Sequence, residues 1–506
     1  MNRNTSLIII AILLVGILYR LMLTANGNFL FNMDNARDFV DVREMVELKK
    51  LRLTGPTSAI DGLYNGPLWY YFLAISYTFG KGDPYGAIIF EIILWAIGGY
   101  FLLKLVGNFG RYLVIPIGLI WVASNYIVLT NLYSFNPNPV TLLTPLFIYG
   151  LFRYSKSLKS MWIILTWSLA GAFFNFEMNF GIFTPLIIII SLFLLNKNAF
   201  KDKYFWIGVI IFTLTLLPQL LFDLRHQFIM SKAIFKFLSN NQNVKFNLIS
   251  RTQIILQSFF SVFQATLMNN RLITWAVILL AIPIVKNFLR RGKKESIFIV
   301  SLLYIVIPFL GYLIISVTVN PWHLGGPAVA LLILIAVIIS RLWQINITGR
   351  LVSLILSLSL FYFSVFNILN FFVNDLGKEN MDPSLYKNEI KAIDYVYQKA
   401  NGKNFKVYIY LPSVYDYPYQ YLFWWYGQKK YGYIPKEYVY SPNKPQYIPS
   451  QEKFQGEKSN FSELVFLIKE PDRIKMRQAW ENDYKDMEML SKEMVGPIEV
   501  EVRREL

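Results

Sequence analysis

The sequence predicts an α-helical polytopic membrane protein of about eleven transmembrane helices, closed by a small α/β domain outside the bilayer. Three observations carry this reading. The 506 residues are 55% hydrophobic and only 16% charged, with mean hydropathy +0.40, the composition of a chain solvated largely by lipid. Apolar runs of the length needed to cross a hydrocarbon layer of roughly 30 Å recur along the first three quarters of the chain. The charge is also divided unevenly: residues 375–506 hold 20 basic and 20 acidic side chains, so the net +17 belongs to residues 1–374.

Taken in order, the runs lie near residues 7–24, 86–106, 111–130, 139–154, 161–176, 181–196, 204–221, 272–289, 297–318, 326–342 and 350–372. The first lacks a small-residue cleavage site before Asn26 and reads as an anchor rather than a removed leader. Lys and Arg near span ends stay on the cytoplasmic side. With the amino terminus inside, Lys104, Arg111, Arg153, Lys156, Lys159, Lys197, Lys201, Lys203, Lys286 to Lys294, Arg341 and Arg350 fall on inner connections, whereas 131–138, 177–180 and 319–325 hold no Lys or Arg. Counting 66–80 as a span would reverse this pattern, so that segment reads as an interfacial helix in a first outer loop, 25–85. An odd number of spans puts the carboxyl-terminal domain, 375–506, outside the cell, and the protein in the plasma membrane.

The tail predicts a helix over 384–400, strands at 406–411 and 463–468, and a polar helix over 473–491. Between them YDYPYQYLFWWYGQ, 415–428, offers rings that either stack on sugars or form the domain's core or rest on the membrane. No internal repeat stands out. The basic balance follows from topology and lipid headgroups, which leaves nucleic-acid binding without support. There are no cysteines, so disulfides, thiol nucleophiles and thiolate metal sites are excluded.

Acids are scarce in the membrane part: Asp34, Asp38, Asp41, Glu44, Glu47, Asp61, Asp83, Glu91, Glu177, Asp202, Asp223 and Glu295 are all that residues 1–374 contain. On the expected topology only Asp202 and Glu295 face the cytoplasm. The run MDNARDFVD concentrates acids around Arg37, and the spacing of Phe39, Val42, Val46 and Leu53 predicts an interfacial helix over 36–53. Asp34 and Asp38 fall four apart at its start, where a carboxylate can cap the helix or serve as a base; Arg37 with Asp41 reads equally as a surface pair.

The run FNMDNARDFVDVREM, followed by GPTSAIDGLYNGPLWYY, resembles the first outer loop of bacterial membrane glycosyltransferases of the protein-mannosyltransferase and aminoarabinose-transferase type, family 39, with the GT-C fold. The resemblance covers about 370 residues, mainly in layout. It implies transfer of a sugar from a polyprenyl-phosphate donor to an acceptor hydroxyl of protein, lipid or glycan, at the outer face and with inversion. Asp34 takes the role of base and Asp38 that of second base or orienting partner. The chain departs from the pattern at Asn35, where relatives carry Glu, and in SFNPNPV, 134–140, where they carry Asp. Those departures weaken the case for a metal held by acids from two loops, and no cofactor is expected.

The chemistry needs a base and cationic donors for the leaving phosphate. Arg225 in FDLRHQF is the first candidate for the phosphate, against snorkelling or pairing with Asp223, and His226 is its neighbour. His323 in NPWHLGGP is a further phosphate candidate or a hydrogen-bonded structural residue, and Arg20 a secondary one. Tyr64, Trp69, Tyr70, Glu177 and Asp223 are candidates for the sugar and acceptor pocket, against interfacial or structural roles. A lipid or glycan transporter, or a noncatalytic assembly factor of the same fold, are the alternative readings; a transporter favours ionisable groups or broken helices near the midplane and repeated halves, which the sequence lacks.

Overall fold

The computed structural model describes residues 3–505 apart from 59, 241–246, 292–294, 316, 443–446, 449, 457–463 and 473–474. Its helices in chain order are α1 Arg3–Thr24, α2 Met33–Glu47, α3 Leu68–Phe79, α4 Tyr85–Val106, α5 Val114–Ala123, α6 Asn125–Leu129, α7 Asn138–Ser157, α8 Ser160–Phe176, α9 Met178–Gly181, α10 Thr184–Leu195, α11 Lys203–Thr215, α12 Leu217–Arg225, α13 Ile229–Asn240, α14 Leu248–Thr266, α15 Arg271–Arg291, α16 Ser296–Ile314, α17 Gly325–Trp343 and α18 Ile347–Asn370, followed by α19 Tyr386–Ala400, α20 Tyr417–Leu422, α21 Gln428–Tyr431 and α22 Arg477–Glu481.

Each of the eleven expected segments is built on helix, although 297–318 leaves it at Ile314 and its residue 316 lies outside the described residues, and the chain is a polytopic integral membrane protein. Among the described residues seven helices are long and apolar enough to cross a membrane, or eight if the bent pair α14 and α15 is one span. The difference from eleven has local causes. The expected 111–130 segment is broken at Ser124, whose hydroxyl accepts from the Ile127 N–H and starts α6. Helix α8 is a shorter apolar helix. Helices α13 and α14 were not expected, and α14 meets α15 at 113°. Part of the basic connection expected from Lys286 to Lys294, residues 292–294, lies outside the described residues.

The chain divides into two compact units: Met1–Met22 with Arg52–Phe72 and Ile89–Leu376, and Leu23–Leu51 with Leu73–Ile88 and Gly377–Leu506. In the first, α17 is apolar on all sides and packs against α7, α16 and α18, so every side chain of its most apolar stretch is buried. Helices α1, α11 and α12 instead leave Leu7, Leu14, Leu18, Ile210, Leu214, Leu220 and Leu224 exposed, surfaces that suit lipid rather than water. Gly98 lies against the Leu142 carbonyl, so any larger side chain would separate α4 from α7.

The second unit is an α/β layer structure. Strands β1 Lys406–Tyr410, β2 Glu437–Val439, β3 Leu464–Lys469, β4 Glu488–Val495 and β5 Ile498–Arg504 form one sheet in the order β2-β1-β3-β5-β4. β1 is parallel to both β2 and β3, whereas β5 is antiparallel to β3 and β4. Trp480 and Tyr484 cover one face through Tyr408, Tyr410, Val465 and Leu467.

The polar helix expected over 473–491 is corrected: it holds only α22 and a short turn before β4 begins at Glu488. β4 and β5 form a hairpin turned at Gly496, whose φ of +62° favours glycine. Residues 463, 473 and 474 of the expected elements lie outside the described residues. The aromatic run 415–428 is mainly core: Tyr419, Tyr421, Leu422 and Phe423 are fully buried, and the Tyr421 hydroxyl donates to the Gly82 carbonyl at 2.5 Å.

Candidate active site

Helix α2 starts at Met33, earlier than expected, because Asn32 supplies its cap; the Asn32 side chain accepts from the Asp34 N–H at 3.1 Å and the Asn35 N–H at 3.5 Å. Capping is therefore not the role of Asp34. Its carboxylate lies in the first helical turn, on the positive end of the helix dipole, and its side chain is 42% exposed. Arg37, one turn on, donates Nη1–H to Asp34 Oδ1 at 3.2 Å. Among the described residues Asp34 Oδ2 has no hydrogen-bond partner, which leaves one lone-pair face open to a proton.

Asp38 differs completely in setting. It is fully buried, and its Oδ1 accepts from both Nε and Nη2 of Arg37 at 3.0 and 2.8 Å. One guanidinium thus joins the two acids, an arrangement that the four-residue spacing alone did not reveal. The i, i+3 spacing of Asp34 and Arg37 was the signal that could have found it. Arg43, two turns further along, is also buried; it donates to the Gln420 carbonyl at 3.3 Å and lies over the Phe454 ring at 3.8 Å. That contact holds α2 on the unit's own sheet domain.

The remaining candidates lie in the other unit. Arg225 ends α12, is exposed, and has no hydrogen bond or ion pair among the described residues. Its expected alternative partner is engaged elsewhere: buried Asp223 accepts from the Met230 N–H at 2.7 Å and from the Ser231 hydroxyl at 2.5 Å, tying down the first turn of α13. His226 stacks on Phe222 at 4.0 Å and donates Nδ1–H to the Phe222 carbonyl at 2.8 Å. Tyr64 meets the same Phe222 ring edge-on at 5.6 Å, so Tyr64 and His226 come together across Phe222.

Other candidates are packed inward. Arg20 is fully buried; it donates to Asn131 Oδ1 at 2.7 Å and to the Trp121 and Val122 carbonyls, with its guanidinium over Trp95 at 3.8 Å. These contacts fasten α1 to the carbonyls freed where α5 ends. Trp69 and Tyr70 are 1% and 2% exposed, because α3 presses that face into the bundle, with Trp69 edge-on to Phe176. Glu177 caps α9 by accepting from the Asn179 N–H, and burial pushes its carboxyl up to about 7. His323 is 2% exposed, accepts the Asn320 N–H at Nδ1, and turns Nε2 toward Glu177 Oε1 at 3.8 Å.

No family model matches the chain, and neither does any curated relative. Among solved structures, the crystal structure of ArnT from Cupriavidus metallidurans bound to undecaprenyl phosphate superposes with a TM-score of 0.62 at 12% identity, covering 99% of this chain and 98% of that one. The chain has the fold of ArnT. The apo state of the same protein gives 0.62 at 11% identity, over 98% and 97% of the two chains. The ArnT fold is the GT-C architecture that the first-loop resemblance implied.

Within this ArnT fold the 134–140 loop is held by an acid from outside it. Buried Glu91 accepts at Oε1 from the Phe135 N–H at 3.2 Å and from Asn138 Nδ2 at 3.1 Å. Asn138 also reaches the Thr130 and Tyr133 carbonyls. Glu481, Glu499 and Glu501 converge in the other unit, but around the Lys469 ammonium, 2.7 Å from Glu481 and 2.6 Å from Glu501, with Arg477 bound to Glu499. Side chains already supply the cations that this cluster needs.

Proposed function

We propose that this protein transfers a sugar from a polyprenyl-phosphate donor to an acceptor hydroxyl at the outer face of the membrane, with Asp34 as base and inversion at the anomeric carbon. The observation that carries the reading is the open oxygen of Asp34 on a chain with the ArnT fold, one of whose solved examples binds undecaprenyl phosphate. Arg37 fixes the carboxylate, and the unbonded Oδ2 accepts the acceptor's proton as its oxygen attacks the anomeric carbon. The bond from that carbon to the donor phosphate breaks in the same displacement, and the phosphate leaves with its electrons. Arg225 is the phosphate partner, because an exposed guanidinium can give two parallel N–H donors to an anion. His226 and Tyr64, joined across Phe222, assist in orienting the donor. The distribution of Lys and Arg supports an amino terminus in the cytoplasm and a carboxyl-terminal domain, 375–506, outside it.

The test is transfer from a radiolabelled polyprenyl-phosphate sugar by the full-length protein in lipid nanodiscs. Asp34→Asn is expected to slow transfer by about 10²–10⁴-fold, and Arg225→Ala to weaken donor binding with the fold intact. Equal transfer by Asp34→Asn and the unaltered protein would remove the base from the mechanism. Absence of transfer from every donor offered would favour the noncatalytic reading.

A further inference from the structure

The C-terminal sheet has a pocket of its own, which the proposed transfer does not use. It measures ≈ 500 Å³, within the roughly 300–1,000 Å³ of small-molecule sites. Its walls come from the segments that follow the three parallel strands: Tyr415 after β1, Tyr440, Ser441 and Tyr447 after β2, and Trp480 and Asp483 after β3. The crevice beyond the carboxyl ends of parallel strands is where open α/β sheets take ligands, because the loops there converge while the sheet holds them rigid.

The rings are fixed in place. The Tyr415 side chain is 46% exposed, yet it is stacked on Tyr417 at 5.8 Å and edge-on to Tyr447 at 5.3 Å. The Asp416 N–H donates to the Tyr447 hydroxyl at 3.1 Å, and the Trp480 indole N–H donates to the Tyr440 carbonyl at 2.7 Å. Val414 brings the chain to Tyr415 with φ of +68°, a conformation that a β-branched residue seldom adopts. The polar groups among these walls are acceptors and hydroxyls: the exposed carboxylate of Asp483, the Ser441 hydroxyl and the tyrosine phenols.

This combination selects among ligands. A nucleotide would stack well, but its phosphates would meet Asp483, and among the described residues the lining holds no Lys or Arg. An apolar chain segment would cover the carboxylate and the hydroxyls without giving them partners. A neutral pyranose meets both requirements: its C–H face lies on an aromatic ring, and its hydroxyl rim donates to the carboxylate. We propose that this pocket is a neutral-saccharide subsite, with Tyr415 as the stacking platform and Asp483 as the hydroxyl acceptor. It stands independently of Asp34, since binding there requires no transfer.

The experiment uses the full-length protein in a detergent without a sugar headgroup, titrated with cellotriose and with mannotriose and followed by calorimetry and saturation-transfer NMR. Saturable binding of at least one trisaccharide is expected, with the ring C–H protons receiving the strongest transfer. Tyr415→Ala and Asp483→Asn are each expected to weaken it by about tenfold, the scale of one aromatic or charge-assisted contact. Tyr415→Phe keeps the ring and is expected to retain the affinity, and a thermal melt of each variant confirms its fold. Failure of both trisaccharides to saturate, or equal affinities in the unaltered protein and the folded Tyr415→Ala and Asp483→Asn variants, would overturn the proposal.

Discussion

Two short polar segments, MDNARD at 33–38 and SFNPNPV at 134–140, use their side chains in opposite ways. In the first, Asn32 satisfies the free N–H groups of α2, and Arg37 takes one oxygen of Asp34 while the other stays open. In the second, Asn138 and the Phe135 N–H both turn inward to a buried acid, Glu91. A polar residue in such a loop is available for chemistry only where the backbone has already found other partners. Asp34 meets that condition, whereas Asp38, one turn along the same helix, sits in the packing against the same arginine.

The largest effect expected of this contrast is on rate. Asp34→Asn should lose sugar transfer by the two to four orders of magnitude given above, while its thermal unfolding stays close to that of the unaltered protein, because an exposed pair contributes about 0–1 kcal/mol. Asp38→Ala should do the reverse in the first instance: leaving Arg37 without its buried partner costs about 3–5 kcal/mol, to be read as a lowered melting temperature. An Asp34→Asn variant that melts far earlier, or an Asp38→Ala variant that melts unchanged, would dissolve the distinction between the two acids. For the 134–140 loop, Asn138→Ala removes a donor from buried Glu91 and should destabilise the protein by about 1–3 kcal/mol. Normal stability in that variant would mean that Glu91 does not hold the loop.

The subtlest expectation concerns pH. Burial opposes ionisation of Glu499, but hydrogen bonds from Arg477 and Lys492 outweigh it and hold the carboxyl down at about 2. Its folded value is below the unfolded one, so its contribution is complete above about pH 4.5 and disappears as pH falls toward 2. Burial pushes Asp416 up to about 7, against the hydrogen bond from Gln420. Here the folded value is the higher, so stability declines as pH rises from about 4 to 7. Melting temperature against pH should therefore rise and then fall. Asp416→Asn should flatten the falling limb and Glu499→Gln the rising one; a profile unmoved by either would place the titrating groups elsewhere.

Much of the architecture was legible because a membrane helix announces itself through an uninterrupted apolar run, as α17 does. The 248–266 segment was not, since LISRTQIILQSFFSVFQAT mixes polar residues into an apolar stripe and then turns through 113° into α15. The β4 strand was hidden because EMLSKEMV, exposed along nearly its whole length, is rich in good helix formers; its pairing with β5 overrides that preference. At the site, the sequence pointed to Asp34 through the clustering of acids, but Asn32 as the cap and Arg37 as the bridge depend on where the helix begins. Arg20 looked like an anion ligand because a charge near the outer end of a span is costly unless it snorkels or meets an anion, and His323 because it stands at the outer mouth of a span. Their actual partners, Asn131, Glu177 and backbone carbonyls freed at helix breaks, come from distant parts of the chain.

The grip of Asn138 on Glu91 also restricts how this lineage can change. An aspartate at 138 would replace the amide hydrogen that now bridges 3.1 Å to Glu91 with a second carboxyl. Away from water two such groups do not both ionise, so a single replacement would cost stability. Positions 91 and 138 should therefore exchange their charge together among descendants and ancestors of this chain, so that an acid gained in the loop is matched by one lost from the helix beneath it.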